Sequence, residues 1–236
     1  MKIIAHRGYH KNHPENTLAA FQEALQKGAD AIELDAHETK DGQLVVHHDY
    51  YLGNPDNGEE LIVQRDAAYI RGLRIDDTEK IPLLNDVFEL IGNKMQYELE
   101  LKGFTDRFLL SVIEIVKRFD LFESIEFTSP TVYILTRLKE LEPGFKTGFF
   151  ATPFPGWMDK ELGQTILINN ALLGRIGVLH CPLEMIDDEL LVSAHKHGLK
   201  VHAADCNTEE ELRKAFELGV DQLSTDELEL AVSIST

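Results

Sequence analysis

The sequence predicts one α/β domain over residues 1–236, a (β/α)8 barrel, on three observations. Helix-like and strand-like stretches alternate, most regularly in the second half. A unit of helix, Gly stop, strand and terminal Asp recurs: residues 24–35 lie over residues 215–226, and residues 194–205 fit the same frame through Gly198 and Val201. Polar residues gather at the carboxyl ends of the strands: His6, Arg7, Glu33, Asp35, His48, Asp49, Glu100, Lys102, Asp205 and Asp226. Repeated αβ units build a parallel sheet, enough of them close into a barrel, and the active site of such a barrel lies at those strand ends. About nine strand candidates can be counted, one more than an eight-stranded barrel needs, and the pattern does not say which is surplus.

In chain order, the apolar residues 3–5 form a short strand ending at His6-Arg7-Gly8. A polar loop closes at Pro14-Glu15-Asn16-Thr17, where Asn16 or Thr17 can cap the helix over 18–27, and Gly28 stops it. Residues 31–36 alternate apolar and acidic, the period of a strand, so Glu33 and Asp35 share one face and Ile32 and Leu34 the other. Asp41-Gly42 is a turn, followed by a strand over 44–46 that ends in His47-His48-Asp49. Residues 50–80 are polar and weakly patterned, with a loop at 54–58. Pro82 opens a helix over 83–91, and residues 97–102 repeat the acidic alternation, with Glu98, Glu100 and Lys102 on one face. Helices over 108–119, 132–141 and 164–173 then alternate with strands over 125–128, 146–151 and 176–180. The run Pro153-Phe154-Pro155-Gly156-Trp157 interrupts them as a loop or an added patch at the barrel mouth.

Acidic side chains converging from two strands are costly unless neutralised, and their oxygens are the donors a hard cation such as Mg²⁺ or Ca²⁺ takes. His6 and His48, on separate strands, suit acid–base exchange near neutral pH, and Arg7 and Lys102 suit an anionic group. A metal, two histidines and two cations are together the parts that phosphodiester cleavage uses. His47, adjacent to His48, points the other way on a strand, while His10, His13 and His37 read as loop or supporting residues.

Composition narrows the partners. With 23 basic against 41 acidic residues the net charge is −18, which excludes a basic footprint for nucleic acid or anionic membrane. A small anionic ligand remains compatible, because a cleft can oppose the global sign. The hydrophobic content of 43% suffices for one substantial core. Cys181 and Cys206 have neither disulfide-framework nor metal-knuckle spacing and read as reduced thiols. No export-signal pattern precedes the first strand and no apolar run approaches the roughly 20 residues of a membrane span. The expectation is a cytoplasmic protein with no membrane anchor. Its oligomeric state is not encoded in any recognisable pattern.

The ordered set His6-Arg7-Gly8, Pro14-Glu15-Asn16-Thr17, Glu33-Leu34-Asp35, Thr39-Lys40-Asp41-Gly42, Val45-Val46-His47-His48-Asp49, Ile81-Pro82-Leu83-Leu84, Glu98-Leu99-Glu100-Leu101-Lys102, Gly219-Val220-Asp221 and Thr225-Asp226 resembles the glycerophosphodiester phosphodiesterase family. The resemblance spans nearly the whole chain and points to the short cytoplasmic bacterial type. It implies a PI-phospholipase-C-like TIM barrel that hydrolyses glycerophosphodiesters to sn-glycerol 3-phosphate and an alcohol. It further implies His6 and His48 as the acid–base pair, Glu33, Asp35 and Glu100 as ligands of Mg²⁺ or Ca²⁺, and Arg7 and Lys102 as phosphate contacts. The implied route has the glycerol 2-hydroxyl attack phosphorus, forming a cyclic phosphate that water opens.

Asn16 reads first as a helix cap, Glu98 as an ion-pair partner or ligand, and Asp205 as a substrate contact. The chain has Ala204-Asp205-Cys206-Asn207 where the family usually carries Trp-Thr before the late Asn. That exchange removes an aromatic wall and adds a carboxylate, which bears on alcohol specificity and metal preference rather than on reaction class. Two other readings stand beside this one: a phosphodiesterase for another diester (a lysophospholipid or a phosphorylated sugar ester) and a non-catalytic phosphodiester-binding barrel. The second would have no need of two titratable histidines flanking one metal.

Overall fold

A computed structural model describes residues 1–53, 60–76 and 78–235. The chain divides into two compact units, residues 5–125 and residues 1–4 with 126–236. Its elements in order are β1 (Lys2–Ala5), α1 (Leu18–Gln26), β2 (Ala31–Glu38), β3 (Leu44–Val46), β4 (Tyr51–Leu52), β5 (Glu60–Leu61), α2 (Ala67–Gly72), α3 (Leu84–Ile91), β6 (Gln96–Leu101) and α4 (Asp106–Arg118). There follow β7 (Ile125–Ser129), α5 (Val132–Leu141), β8 (Lys146–Phe150), α6 (Lys160–Leu173), β9 (Val178–Pro182), α7 (Asp188–Lys196), β10 (Lys200–Ala204), α8 (Glu209–Leu218), β11 (Gln222–Thr225) and α9 (Leu228–Ser235). The eight strands β1, β2 and β6 to β11 alternate with helices as a (β/α)8 barrel requires, and the fold class is the one expected.

In the unit of residues 5–125, β2 and β6 run parallel with Ile32 opposite Tyr97, Glu33 opposite Glu98, Leu34 opposite Leu99 and Asp35 opposite Glu100. Every residue of β2 is buried, so its apolar face packs into the core and its acidic face is also removed from water. β3 pairs with β2 antiparallel, His37 opposite Val45. It is therefore the surplus strand candidate, half of a hairpin and not a barrel stave. The turn between them is held by Thr39, whose hydroxyl donates to Asp41 Oδ1 (2.5 Å) and accepts from the Gln43 N–H (3.0 Å).

The described residues between 50 and 80 carry more structure than their weak pattern suggests. β4 and β5 pair antiparallel, and a small core of Val45, Leu52, Ile62, Ile70 and Ile81 lies beneath them. These apolar residues are spaced irregularly across short elements, so no single period reveals them. The expected loop at 54–58 lies outside the described residues.

In the other unit the strand order is β1-β11-β10-β9-β8-β7, and the neighbours from β7 to β11 pair parallel. The recurring frame is visible in α7–β10 and α8–β11, where Gly198 (φ 74°) and Gly219 (φ 69°) end the helices in left-handed backbone. Cys181 and Cys206 are buried free thiols, and burial pushes each thiol up to about 12. Residues 151–158 carry no helix or strand, and Trp157 is exposed. Among the described residues no helix is long and apolar enough to cross a membrane.

Candidate active site

The parallel register of β2 and β6 stacks two pairs of carboxylates. Glu33, Asp35 and Glu100 each turn one oxygen into a common space in which those oxygens lie within 4.8 Å of one another. Lys102, just past the end of β6, places Nζ 2.7 Å from Glu100 Oε1 and 3.1 Å from Asp35 Oδ1. Arg7 donates its backbone N–H to Glu33 Oε2 (3.0 Å), while its guanidinium pairs with Glu15 (2.9 Å) and stands 3.8 Å from Asp35. Glu15, to which the motif Pro14-Glu15-Asn16-Thr17 assigns no role, anchors Arg7. Arg7 itself is left-handed (φ 54°), and Gly8 beside it (φ 83°) lies so close to α1 that a Cβ would stand 2.9 Å from the Ala20 backbone. The turn carrying His6 and Arg7 therefore depends on glycine at position 8.

Electrostatics separate the three carboxyls. Glu33 is driven well above the usual glutamate range by burial and by Asp35, Glu98 and Glu100, with Arg7 opposing. Glu100 is also raised, by burial and Asp35 against Lys102. For Asp35 burial works the same way, but Lys102, the Asn16 hydrogen bond, His48 and Arg7 outweigh it and hold the carboxyl below its usual range. The buried set of Glu33, Asp35, Glu98 and Glu100 faces two cations, Arg7 and Lys102. Fully ionised, these four carboxylates exceed the two cations by two negative charges, which one divalent cation would offset. The all-oxygen donor set fits a hard cation.

Asn16 is not the cap of α1. Thr17 takes that place, accepting from the Ala20 N–H (3.2 Å). Asn16, left-handed at φ 56°, instead donates Nδ2–H to Asp35 Oδ2 (2.8 Å) and accepts from the Asp35 N–H (3.4 Å). Both residues can cap, so composition alone could not divide the roles; the turn gives the capping geometry to the second and aims the first at the carboxylate.

His48 follows β3. The backbone N–H of His47 donates to Asp35 O (3.1 Å), which fixes this end of the hairpin against β2. His48 Nδ1 lies 2.9 Å from Asp49 Oδ1, and an ionised carboxylate can only accept, so Nδ1 carries the proton. His37 Nε2 meets the His48 carbonyl at 3.3 Å, and burial first of all lowers its pKa to about 4, leaving the ring neutral. Burial lowers His47 as well. His6 sits half-buried on the turn after β1.

The other unit holds Asp205 and Asp226. Asp205 accepts from Ser224 Oγ (3.3 Å), and Asp226 and Asn207 bond reciprocally, Asn207 Nδ2 to Asp226 Oδ2 (2.9 Å) and the Asp226 N–H to Asn207 Oδ1 (2.7 Å). A buried network there, Glu126, His180, His202 and Gln222, gives no signal in the sequence, because its members lie on four separate strands and share no motif or spacing.

The model of the glycerophosphoryl diester phosphodiesterase family matches residues 6–230, nearly the whole chain. The chain belongs to that family. A glycerophosphodiester phosphodiesterase of Caldanaerobacter subterraneus subsp. tengcongensis is 32% identical over an alignment covering 98% of this chain and 96% of the relative. Among solved structures, an Oleispira antarctica phosphodiesterase in complex with the product sn-glycerol-3-phosphate aligns with a TM-score of 0.86 at 27% identity, covering 100% of this chain and 97% of that one. The glycerophosphodiester phosphodiesterase of Thermotoga maritima aligns with a TM-score of 0.81 at 28% identity, covering 98% and 97%.

Proposed function

We propose that the chain hydrolyses glycerophosphodiesters to sn-glycerol 3-phosphate and an alcohol, as one catalytic domain acting on small diesters in the cytoplasm. The observation that carries the reading is the convergence of Glu33, Asp35 and Glu100 beside Lys102, with His48 entering on the hairpin bonded to β2. The product held by the Oleispira antarctica relative supports the substrate class.

Glu33, Asp35 and Glu100 would hold Mg²⁺ or Ca²⁺. When bound, that cation polarises a phosphoryl oxygen and offsets the charge that builds up during displacement. Arg7 and Lys102 hold the remaining phosphoryl oxygens. Asn16 keeps Asp35 aimed, and Glu98 adds to the negative field that makes a cation favourable. Of the two histidines, one takes the proton of the glycerol 2-hydroxyl as its oxygen attacks phosphorus. The other gives a proton to the leaving alcohol oxygen as its bond to phosphorus breaks. Water then attacks the cyclic phosphate, giving up a proton, and the ring opens at the 2-oxygen, which takes one. His48 exchanges protons through Nε2, because Nδ1 is engaged by Asp49; Asp49 is thus a positioning residue.

The test is glycerol 3-phosphate release from glycerophosphocholine and glycerophosphoethanolamine, metal-free and with Mg²⁺ or Ca²⁺, for the wild type and His6→Ala. The expected result is metal-dependent release that falls about 10²–10⁴-fold in His6→Ala. Release unaffected by chelation, or retained in His6→Ala, would overturn the assignment.

A further inference from the structure

Two helices of the unit that holds residues 126–236 present opposite outward faces. In α8 the exposed residues, Glu209, Glu210, Arg213, Lys214 and Glu217, are all charged. In α6 no charged residue occurs from 162 to 174, although 27% of the chain is charged. One side of α6 is core, with Leu167, Ile168 and Ala171 buried. The opposite side carries Leu162, Ile166 and Leu173, 49%, 41% and 80% exposed, with Asn169 exposed among them. A helix that is apolar on all sides belongs in an interior, yet this face is open.

The spacing on the open face is specific. Residues 162, 166, 169 and 173 follow one another by four, three and four, the a/d seam along which two helices pack. That seam is narrower than the stripe of a core-facing helix and suits a second helix. The helix is also held firmly on its unit: Gln164 donates to Asp187 Oδ1 (3.1 Å), and Lys160 is paired with the same carboxylate. Trp157, 79% exposed, stands two residues before the N-cap Asp159. Phe154 fastens this approach to α6, because its ring lies where a Cβ on Gly163 would come within 2.7 Å.

We propose that α6 is the interface between two copies of this chain, packed antiparallel about a two-fold axis between Ile166 and Asn169. Leu162 of each copy then meets Leu173 of the other, and the two Asn169 amides approach beside the axis, where they can bond to each other. Charge favours a second copy as the occupant. Two chains of net charge −18 repel over most of their surfaces, and α6 offers a face on which they meet without like charges opposed. A basic partner would be drawn to the acidic surface instead. Asn169 disfavours a lipid surface, since acyl tails leave its amide unsatisfied, whereas one polar residue in a helix seam sets the register. With Trp157 beside its N-terminus, the exposed apolar surface is on the order of 500 Å², toward the upper end of the roughly 300–600 Å² of a monomer's largest patch. Burial on both copies brings the total to about 1,000 Å², the area a specific interface must clear.

Sedimentation equilibrium of the full chain tests the interface. At about 100 μM, above the micromolar Kd of weak interfaces, the wild type should show twice the chain mass. Leu162→Glu and Leu173→Glu each bury an unpaired charge, so each should raise Kd at least about 100-fold, with the circular dichroism spectrum and diester hydrolysis unchanged. Asn169→Leu should tighten the dimer. Leu162→Cys/Leu173→Cys should oxidise to a covalent dimer and neither single cysteine variant should, because the axis sets 162 against 173. A wild type that stays monomeric overturns the proposal, as does a dimer that both glutamate variants retain. Cross-linking through a single introduced cysteine overturns the antiparallel register. Flotation with phosphatidylcholine vesicles, lost in Leu173→Glu, would give the face to a lipid surface and overturn the second copy as its occupant.

Discussion

Glu33 in one unit and Glu126 in the other are both buried carboxylates on strands, and their surroundings push them in opposite directions. Glu126 accepts from His180 Nε2 (2.8 Å) and from Gln222 Nε2 (3.3 Å to each oxygen). Burial alone would raise it, but these donors, with His180 and Lys2, hold it below the usual glutamate range. His202 stacks on His180 with centroids 4.0 Å apart, and Gln222 reaches His202 Nδ1 (3.3 Å). Gly148 leaves space for the group, since a Cβ there would collide with His180 and approach Glu126. Glu33 receives one backbone donor and faces three other acids, and it is raised. A buried carboxylate satisfied on both oxygens by the protein's own donors is an element of structure. A network left short of positive charge is built for something that arrives from outside.

Substituting the two glutamates tests that contrast, and the largest effect belongs to Glu33. In Glu33→Gln, kcat/KM should fall at least about 100-fold, the loss of several kcal/mol of transition-state stabilisation. Metal-free thermal stability should stay level or rise by up to about 1 kcal/mol as a buried like-charge contact disappears. A clear drop in the metal-free Tm would remove the distinction between the two sites. Glu126→Ala should behave conversely, losing about 1.5–3 kcal/mol in denaturant unfolding with kcat/KM kept within about threefold.

Acid titration sharpens the same point. The folded Glu126 carboxyl is depressed, so its contribution is complete above the unfolded value of about 4.3 and disappears as pH falls through the folded value. The stability gap between wild type and Glu126→Gln should therefore narrow as pH falls through and below about 4, read from unfolding midpoints; a gap constant over that range would contradict it. The smallest effect is expected of Asp49→Asn. Its carboxylate is partly exposed and stands 2.9 Å from His48 Nδ1. The loss should be about tenfold, a fraction of the ~10²–10⁴ a general acid or base supplies. It should appear in kcat with KM and Tm unchanged; an equal change in KM would assign Asp49 to substrate binding.

Much of the first unit's site was legible because its information is local. A period of two put Glu33 with Asp35 and Glu98 with Glu100 on shared faces, and the parallel register did bring these faces side by side. Strand direction is absent from periodicity, so β3 could be recognised as a strand but not as the antiparallel one. Adjacent capping residues, Asn16 and Thr17, differ only in the backbone each adopts, which composition does not carry. The network around Glu126 joins residues up to 96 positions apart, and its members come from four different strands. The small core of Val45, Leu52, Ile62, Ile70 and Ile81 draws on scattered apolar residues from several short elements, which no single period joins.

The β2–β3 hairpin also makes the site a single mechanical part. Two of the three acidic residues, the backbone bond from His47 to Asp35, and His48 all belong to one stretch of 16 residues, 33–48, folded on the Thr39–Asp41 clasp, which Asp41 also fastens to α2 through the Ala67 N–H (2.9 Å). A slip of one residue in this pairing would reverse every side chain of the displaced strand and break the tie at Asp35. Geometric error at the turn is thus transmitted without attenuation to the histidine at the far end. On the role proposed for His48, selection for its placement extends to Thr39 and Asp41 at the hairpin turn.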